Sequence, residues 1–161
     1  VVTRRQFLSL AGGAAVAAVA GAAGFALLPG DEAKTGVPQI KLGKQQCARC
    51  GMVIADGRFA SAWRDPNGKA RVFDDPGCIL MDHIELQPGE GAAYWVADYR
   101  DEALIDATTA AFVVSDAIRS PMAYGIAAFA TRAAAEGALT ELGGIVADWR
   151  GVLQEMEGRA A

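Results

Sequence analysis

Phe59-Ala60-Ser61-Ala62-Trp63, then Asp65-Pro66-Asn67-Gly68, then Ala70-Arg71-Val72-Phe73-Asp74-Asp75-Pro76, is the stretch on which the fold turns. Two short runs of aromatic and apolar residues flank a turn in which proline pre-sets φ and Asn-Gly tolerates the left-handed conformation. That combination predicts a β-hairpin. Asp74 or Asp75 is placed to cap a following helix, with Pro76 suited to its first turn. Cys78, Ile79, Met81, Ile84 and Leu86 fill that short helix, and Ala93–Tyr99 supplies a third strand.

The same order recurs downstream. Ala111–Ser115 and Ile126–Ala130 read as strands, and Thr131 caps a helix over Arg132–Leu142 that Gly143-Gly144 terminates. Ile145–Trp149 is a returning strand, and Gly151–Glu157 a terminal amphipathic helix. Strand–strand–helix–strand thus occurs twice, the repeat lying in pattern rather than identity. The expected class is α+β: two small repeated ββαβ units with a terminal helix, each sheet burying one face under a helix. The divisions expected are 1–35 for a signal and linker, 36–102 for the first unit and 103–161 for the second unit with its helix.

Upstream, Thr3-Arg4-Arg5-Gln6-Phe7-Leu8 reads as a twin-arginine leader, followed by an Ala/Gly/Val/Leu run from Leu10 to Leu28 free of acidic residues. Export is the expectation, with cleavage after Ala26 or retention of the segment as a membrane anchor. Asp31–Pro38 reads as a linker. A net charge of −4 with no basic stripe beyond the leader argues against a nucleic-acid partner. A monomer or weak dimer is expected.

The chemistry must come from three cysteines, one histidine and four methionines. Cys47-x-x-Cys50 admits a disulfide, a redox pair or metal ligation. A thioredoxin-like pair opens a helix, whereas Gly51-Met52-Val53-Ile54 reads as the start of a strand. A structural zinc site needs four ligands, and only Cys78 and His83 remain to complete one. Cu(I) fits better, being soft, content with two or three ligands, and at home between thiolate and thioether. In an extended segment Cys50 and Met52 point to one side. Met122, in the tight loop Ser120–Gly125, is the third candidate ligand, and Cys47 an auxiliary. Met81 and Met156 read as core or surface, Cys78 as a buried thiol or a resolving partner, and His83 as a surface residue or fourth ligand. No residue set for catalysis stands out.

Cys47-x-x-Cys50-Gly51-Met52-Val53-Ile54, Leu104-Ile105-Asp106-Ala107, the Pro121-Met122 loop and Phe129-Ala130…Gly143-Gly144-Ile145-Val146 resemble the NosL family, from about Gln46 to Trp149. The resemblance implies two ββαβ units, a periplasmic location and Cu(I) binding. It also implies copper delivery to the copper–sulfide centre of nitrous oxide reductase, with help from a membrane transporter. The family's C-x-M motif maps onto Cys50 and Met52, and its loop methionine onto Met122. Members are typically lipoproteins, whereas no cysteine precedes Cys47. Many carry Phe-Cys-Ser where this chain has Phe73-Asp74-Asp75, and Cys78 departs from the family pattern. The alternatives in other classes are a thiol–disulfide oxidoreductase using Cys47 and Cys50, and a structural zinc domain.

Overall fold

The computed structural model describes residues 36–160. The twin-arginine leader, the apolar run and the start of the linker lie outside the described residues. The hairpin forms where Pro-Asn-Gly placed it: β1 (Ser61–Arg64) pairs antiparallel with β2 (Ala70–Phe73), Ala62 opposite Val72. Phe59 does not open the strand. It sits in a 3-10 turn, Gly57–Phe59, capped by the Asp56 side chain, which sends its ring into the core.

Asp75 caps α1 (Pro76–Leu86), its carboxylate accepting from the Gly77 amide at 2.8 Å. β3 (Ala93–Ala97) returns antiparallel to β1, and β4 (Leu104–Asp106) adds outside it, giving the sheet order β2-β1-β3-β4. The second unit repeats the scheme: β5 (Ala111–Val114), β6 (Ile126–Phe129), α2 (Arg132–Leu142) and β7 (Ile145–Ala147), in the order β6-β5-β7. In both units the first strand is central, with its hairpin partner on one side and the returning strand on the other. Thr131 caps α2 by accepting from the Ala134 amide at 3.1 Å, and Gly143 ends it at φ +63. α3 (Trp149–Ala160) closes the chain, starting two residues before its expected first turn.

Strand alternation decides which faces meet. Trp63, Phe73, Tyr94 and Val96 of the first sheet share one interior with Phe112, Val114, Ile126 and Ala128 of the second. Ile79 and Leu80 of α1 and Val152 and Met156 of α3 fill that same interior. The alternate residues of β5 and β6, namely Ala111, Val113, Ala127 and Phe129, pack on Ala135, Ala138 and Leu142 of α2. β5 and β6 are therefore buried on both faces, whereas β7 is partly exposed. Four fully buried phenylalanines, 59, 73, 112 and 129, anchor the two clusters. Each stabilises by about 1.5–3 kcal/mol relative to exposure.

Backbone and side-chain bonds stitch the units, among them an Ala130 amide donating to Asp98 Oδ2 at 2.7 Å. The Tyr99 amide donates to Ala128 O at 2.8 Å, beside a parallel bridge between Asp98 and Ala128. The Met122 amide donates to the second oxygen of Asp75 at 2.9 Å, tying the loop between β5 and β6 to the start of α1. Among the described residues no helix is long and apolar enough to cross a membrane.

Candidate metal centre

The segment before β1 is a loop rather than a strand. The Cys47 amide donates to Met52 O at 2.7 Å and the Gly51 amide to Cys47 O at 3.0 Å, closing a tight turn across 47–52. Gly51 adopts φ +78, a left-handed conformation that glycine takes without penalty. Only an isolated bridge, Gln46 to Val53, remains of the expected strand. The loop hangs on β2, because the Ala48 amide donates to Val72 O at 2.8 Å and Arg71 donates to Ala48 O at 3.1 Å.

This brings four side chains together from three places. Cys47 and Cys50 come from the loop, Asp74 from the residue after β2, and Cys78 from the first turn of α1. One ligand atom from each lies within 4.8 Å of all the others. Cys47, Asp74 and Cys78 are buried, at 3%, 1% and 1% exposure, whereas Cys50 is half-buried. All three thiols are free.

The two adjacent aspartates divide the work. Asp75 is saturated by the amides of Gly77 and Met122, so the cap is Asp75 and not Asp74. Asp74 has one oxygen 3.4 Å from the Cys50 sulfur, while its Oδ2 is buried with no partner. Nearby cations do not turn to it. Arg49 forms a forked pair with Glu85 at 2.6 and 2.7 Å. Arg71 forks onto Asp82 at 2.8 and 2.9 Å, and Asp82 also accepts the Trp63 indole at 2.8 Å.

Charge is shared unevenly among the thiols. A hydrogen bond from Cys78, aided by the Cys50 amide and Asp74, holds Cys47 down to about 4 against the opposing effect of burial. The same contact with Cys47, together with burial, pushes Cys78 far up. Burial first, and the neighbouring Cys47 and Asp74 second, lift Cys50 to about 11. Burial and Cys47 raise the Asp74 carboxyl. The contacts thus favour ionisation at Cys47 over Cys50 and Cys78, since like charges this close do not all ionise.

A family model matches residues 39–157, and that family is NosL. The chain belongs to the NosL family. No curated protein matches the sequence. Among solved structures, the crystal structure of the copper chaperone NosL from Shewanella denitrificans is similar, with 20% identity and a TM-score of 0.60. The match covers 71% of this chain and 93% of that one. At that identity the likeness speaks to the fold, and it agrees with the mixed α+β architecture of two antiparallel sheets.

In this NosL chain the residues singled out from sequence are distributed as follows. Cys47 and Cys50 stand in the four-donor cluster. Met52 is 47% exposed, beside an equally exposed Val53. Met122 is half-buried against the interior that also contains Cys47 and Cys78. Its loop is pressed onto α1 by Tyr124, and a Cβ on Gly77 would lie 2.0 Å from the Tyr124 ring. His83 stands apart, its Nδ1 2.8 Å from the Tyr94 hydroxyl and its ring edge-on to Trp149. Met156 is core, and Met81 packs partly buried against the same interior.

Sequence offers Cys78 mainly as a buried thiol or resolving partner, with a zinc ligand as the lesser reading, and Asp74 as a cap. Cys78 is the buried thiol expected, yet its sulfur belongs to the donor set. The signal lay in Asp75-Pro76-Gly77-Cys78: once Asp75 is the cap, Cys78 falls in the first turn, close to whatever packs on that helix end. Cys50 also lines an open hollow of about 400 Å3 with Arg49, Arg71, Glu85 and Leu86, so the cluster has one accessible side.

Proposed function

We propose that this NosL-family chain is a non-catalytic Cu(I) carrier working outside the cytoplasm, delivering copper for maturation of nitrous oxide reductase. Its soft ligands are Cys50, Met52 and Met122, with Cys47 as auxiliary. The observation that carries the reading is a gathering of three cysteine sulfurs of which only Cys50 reaches the surface. Thiolates select soft cations, and Cu(I) needs only two or three donors, so an ion held there can change partners at its exposed side. The similar Shewanella structure is of a copper chaperone, which supports the same reading. The twin-arginine leader supports export to the periplasm, and a membrane-bound copper-transport or assembly complex is the expected second partner.

The test is an anaerobic titration of the reduced protein with Cu(I) against a competing chelator. It should give one-to-one binding, weakened by at least about tenfold in Cys50→Ala, or about 1.4 kcal/mol. Unchanged affinity in that variant refutes the carrier assignment. The client is tested separately, by whether cells lacking the chain assemble the reductase's copper centres.

One observation favours a second reading. Three sulfurs and a carboxylate within 4.8 Å also suit tetrahedral Zn(II). A structural zinc would co-purify stoichiometrically, and its removal would unfold the protein. The oxidoreductase alternative is disfavoured by burial: the reachable sulfur, Cys50, is the one pushed up to about 11, while Cys47, the sulfur held down, is buried. Attack on an external disulfide needs the reverse.

A further inference from the structure

Building on the copper-carrier reading, we propose that the chain holds its ion at two positions sharing Cys50. One is the surface position with Met52 and Met122, and the other is a buried seat formed by Cys47, Asp74 and Cys78. Geometry places the buried donors first. Their ligand atoms and that of Cys50 all lie within 4.8 Å of one another, a spread that one central ion spans with ordinary metal–sulfur bonds.

The unpartnered oxygen of Asp74 is the independent sign. At 1% exposure, Asp74 Oδ2 accepts no hydrogen bond. A buried polar atom left without a partner is costly, and native folds rarely keep one without a use. Neither neighbouring arginine turns to it, and among the described residues only the cluster's sulfurs lie against the same carboxyl. The adjacent Asp75 takes both the Gly77 and the Met122 amides, Arg71 is committed to Asp82, and Arg49 to Glu85. A cation in the seat supplies the missing partner.

The two buried sulfurs alone give Cu(I) the soft pair it needs without any thioether, and the Asp74 carboxylate adds a harder third contact and a compensating charge. Cys50 is the pivot, because its sulfur is 3.4 Å from Asp74 Oδ1 and it also lines the open hollow beside Arg49 and Glu85. Movement between positions is ligand exchange on that sulfur. Copper remains Cu(I) throughout, and each thiol that binds gives its proton to solvent. The surface position serves hand-over, while the buried seat keeps copper from oxidants and from competing thiols.

The experiment loads the reduced full chain with one equivalent of Cu(I) and reads affinity by chelator competition and coordination by copper X-ray absorption. The variants are Met52→Leu/Met122→Leu, Cys78→Ala and Asp74→Asn, each checked for native circular dichroism. The double methionine variant removes the surface position, so it is expected to bind more weakly than the parent yet still to hold copper, with thiolate rather than thioether sulfurs around it. Cys78→Ala is expected to bind at least about tenfold more weakly and to lose one sulfur neighbour. Loss of binding in the double methionine variant, or unchanged affinity and coordination in folded Cys78→Ala, overturns the buried seat. Should Cys78→Ala not fold, Asp74→Asn decides on affinity alone: weaker binding is expected, because a neutral amide attracts the cation less than a carboxylate does, and unchanged affinity overturns the proposal. Failure of the parent protein to bind Cu(I) at all instead removes the carrier reading beneath it.

Discussion

Replacing Asp75 with alanine tests whether one carboxylate couples the two repeats. Its oxygens accept from the Gly77 amide at 2.8 Å and from the Met122 amide at 2.9 Å. Losing the cap on α1 costs about 1 kcal/mol. Stranding the half-buried Met122 amide adds about 1–2 kcal/mol, the lower part of the range for an unsatisfied donor. The sum is about 2–3 kcal/mol, which at a urea m-value of about 2 kcal/mol/M lowers the midpoint by roughly 1–1.5 M. Asp75→Asn discriminates further. Its carbonyl still serves Gly77, but its NH2 faces the Met122 N–H, so it should recover the cap contribution alone. Equilibrium urea denaturation of the reduced, metal-free protein provides the assay. A midpoint for Asp75→Ala within about 0.3 M of the parent would refute the reasoning, as that is near the error of the method.

Two further outcomes follow from local environments. Burial lifts the half-buried Cys50 thiol to about 11, so alkylation of the metal-free protein at Cys50 should keep accelerating well beyond pH 9. A plateau near about pH 8.5, where an ordinary cysteine is half ionised, contradicts it. Burial also holds His83 below its usual value, with Glu157 opposing weakly. The unfolded chain then takes up that proton first, so stability is constant above about pH 6.5 and falls as pH drops towards the folded value. His83→Gln should flatten that limb, and superimposable stability curves for parent and variant across it would show the assignment to be mistaken.

The fold was legible wherever local chemistry and tertiary need agree. Pro66-Asn67-Gly68 can hardly do other than turn, Thr131 and Gly143 bracket α2, and the paired hairpin–helix–strand patterns emerged as two sheets of matching order. Three misreadings share a cause. Val53-Ile54 looks like a strand from its β-propensity, but its pairing stops at one bridge to Gln46 and at bonds between Ile54 and the backbones of Gln45 and Gly43, because the turn at 47–52 leaves no longer stretch to pair with. Phe59 is apolar because it fills the core, not because it belongs to β1. Trp149 begins α3 rather than ending β7, its side chain packing on Tyr94 and Phe112.

The candidate site was legible in part, for a different reason. Cys47 and Cys50 announce themselves by spacing along the chain. Asp74 and Cys78 meet them only through the pinning of the loop to β2 and the turn from β2 into α1, and convergence of that kind leaves no periodic trace. An aspartate before Asp-Pro is most economically read as a cap. Only the finding that Asp75 takes the cap alone frees Asp74 for another part.

The bond from the Ala48 amide to Val72 O has a consequence for the protein's life in a crowded compartment. β2 is an outer strand of its sheet, and outward carbonyls on such a strand invite a second molecule to add itself. Here the cysteine loop occupies that rim. A sheath for the sheet and a holder for the ion are one piece of chain, so any event that pulls the loop away, whether oxidation or a clumsy substitution, also uncovers an adhesive border. Aggregation would then be an early symptom of a damaged metal site, visible by light scattering before the rest of the fold has given way.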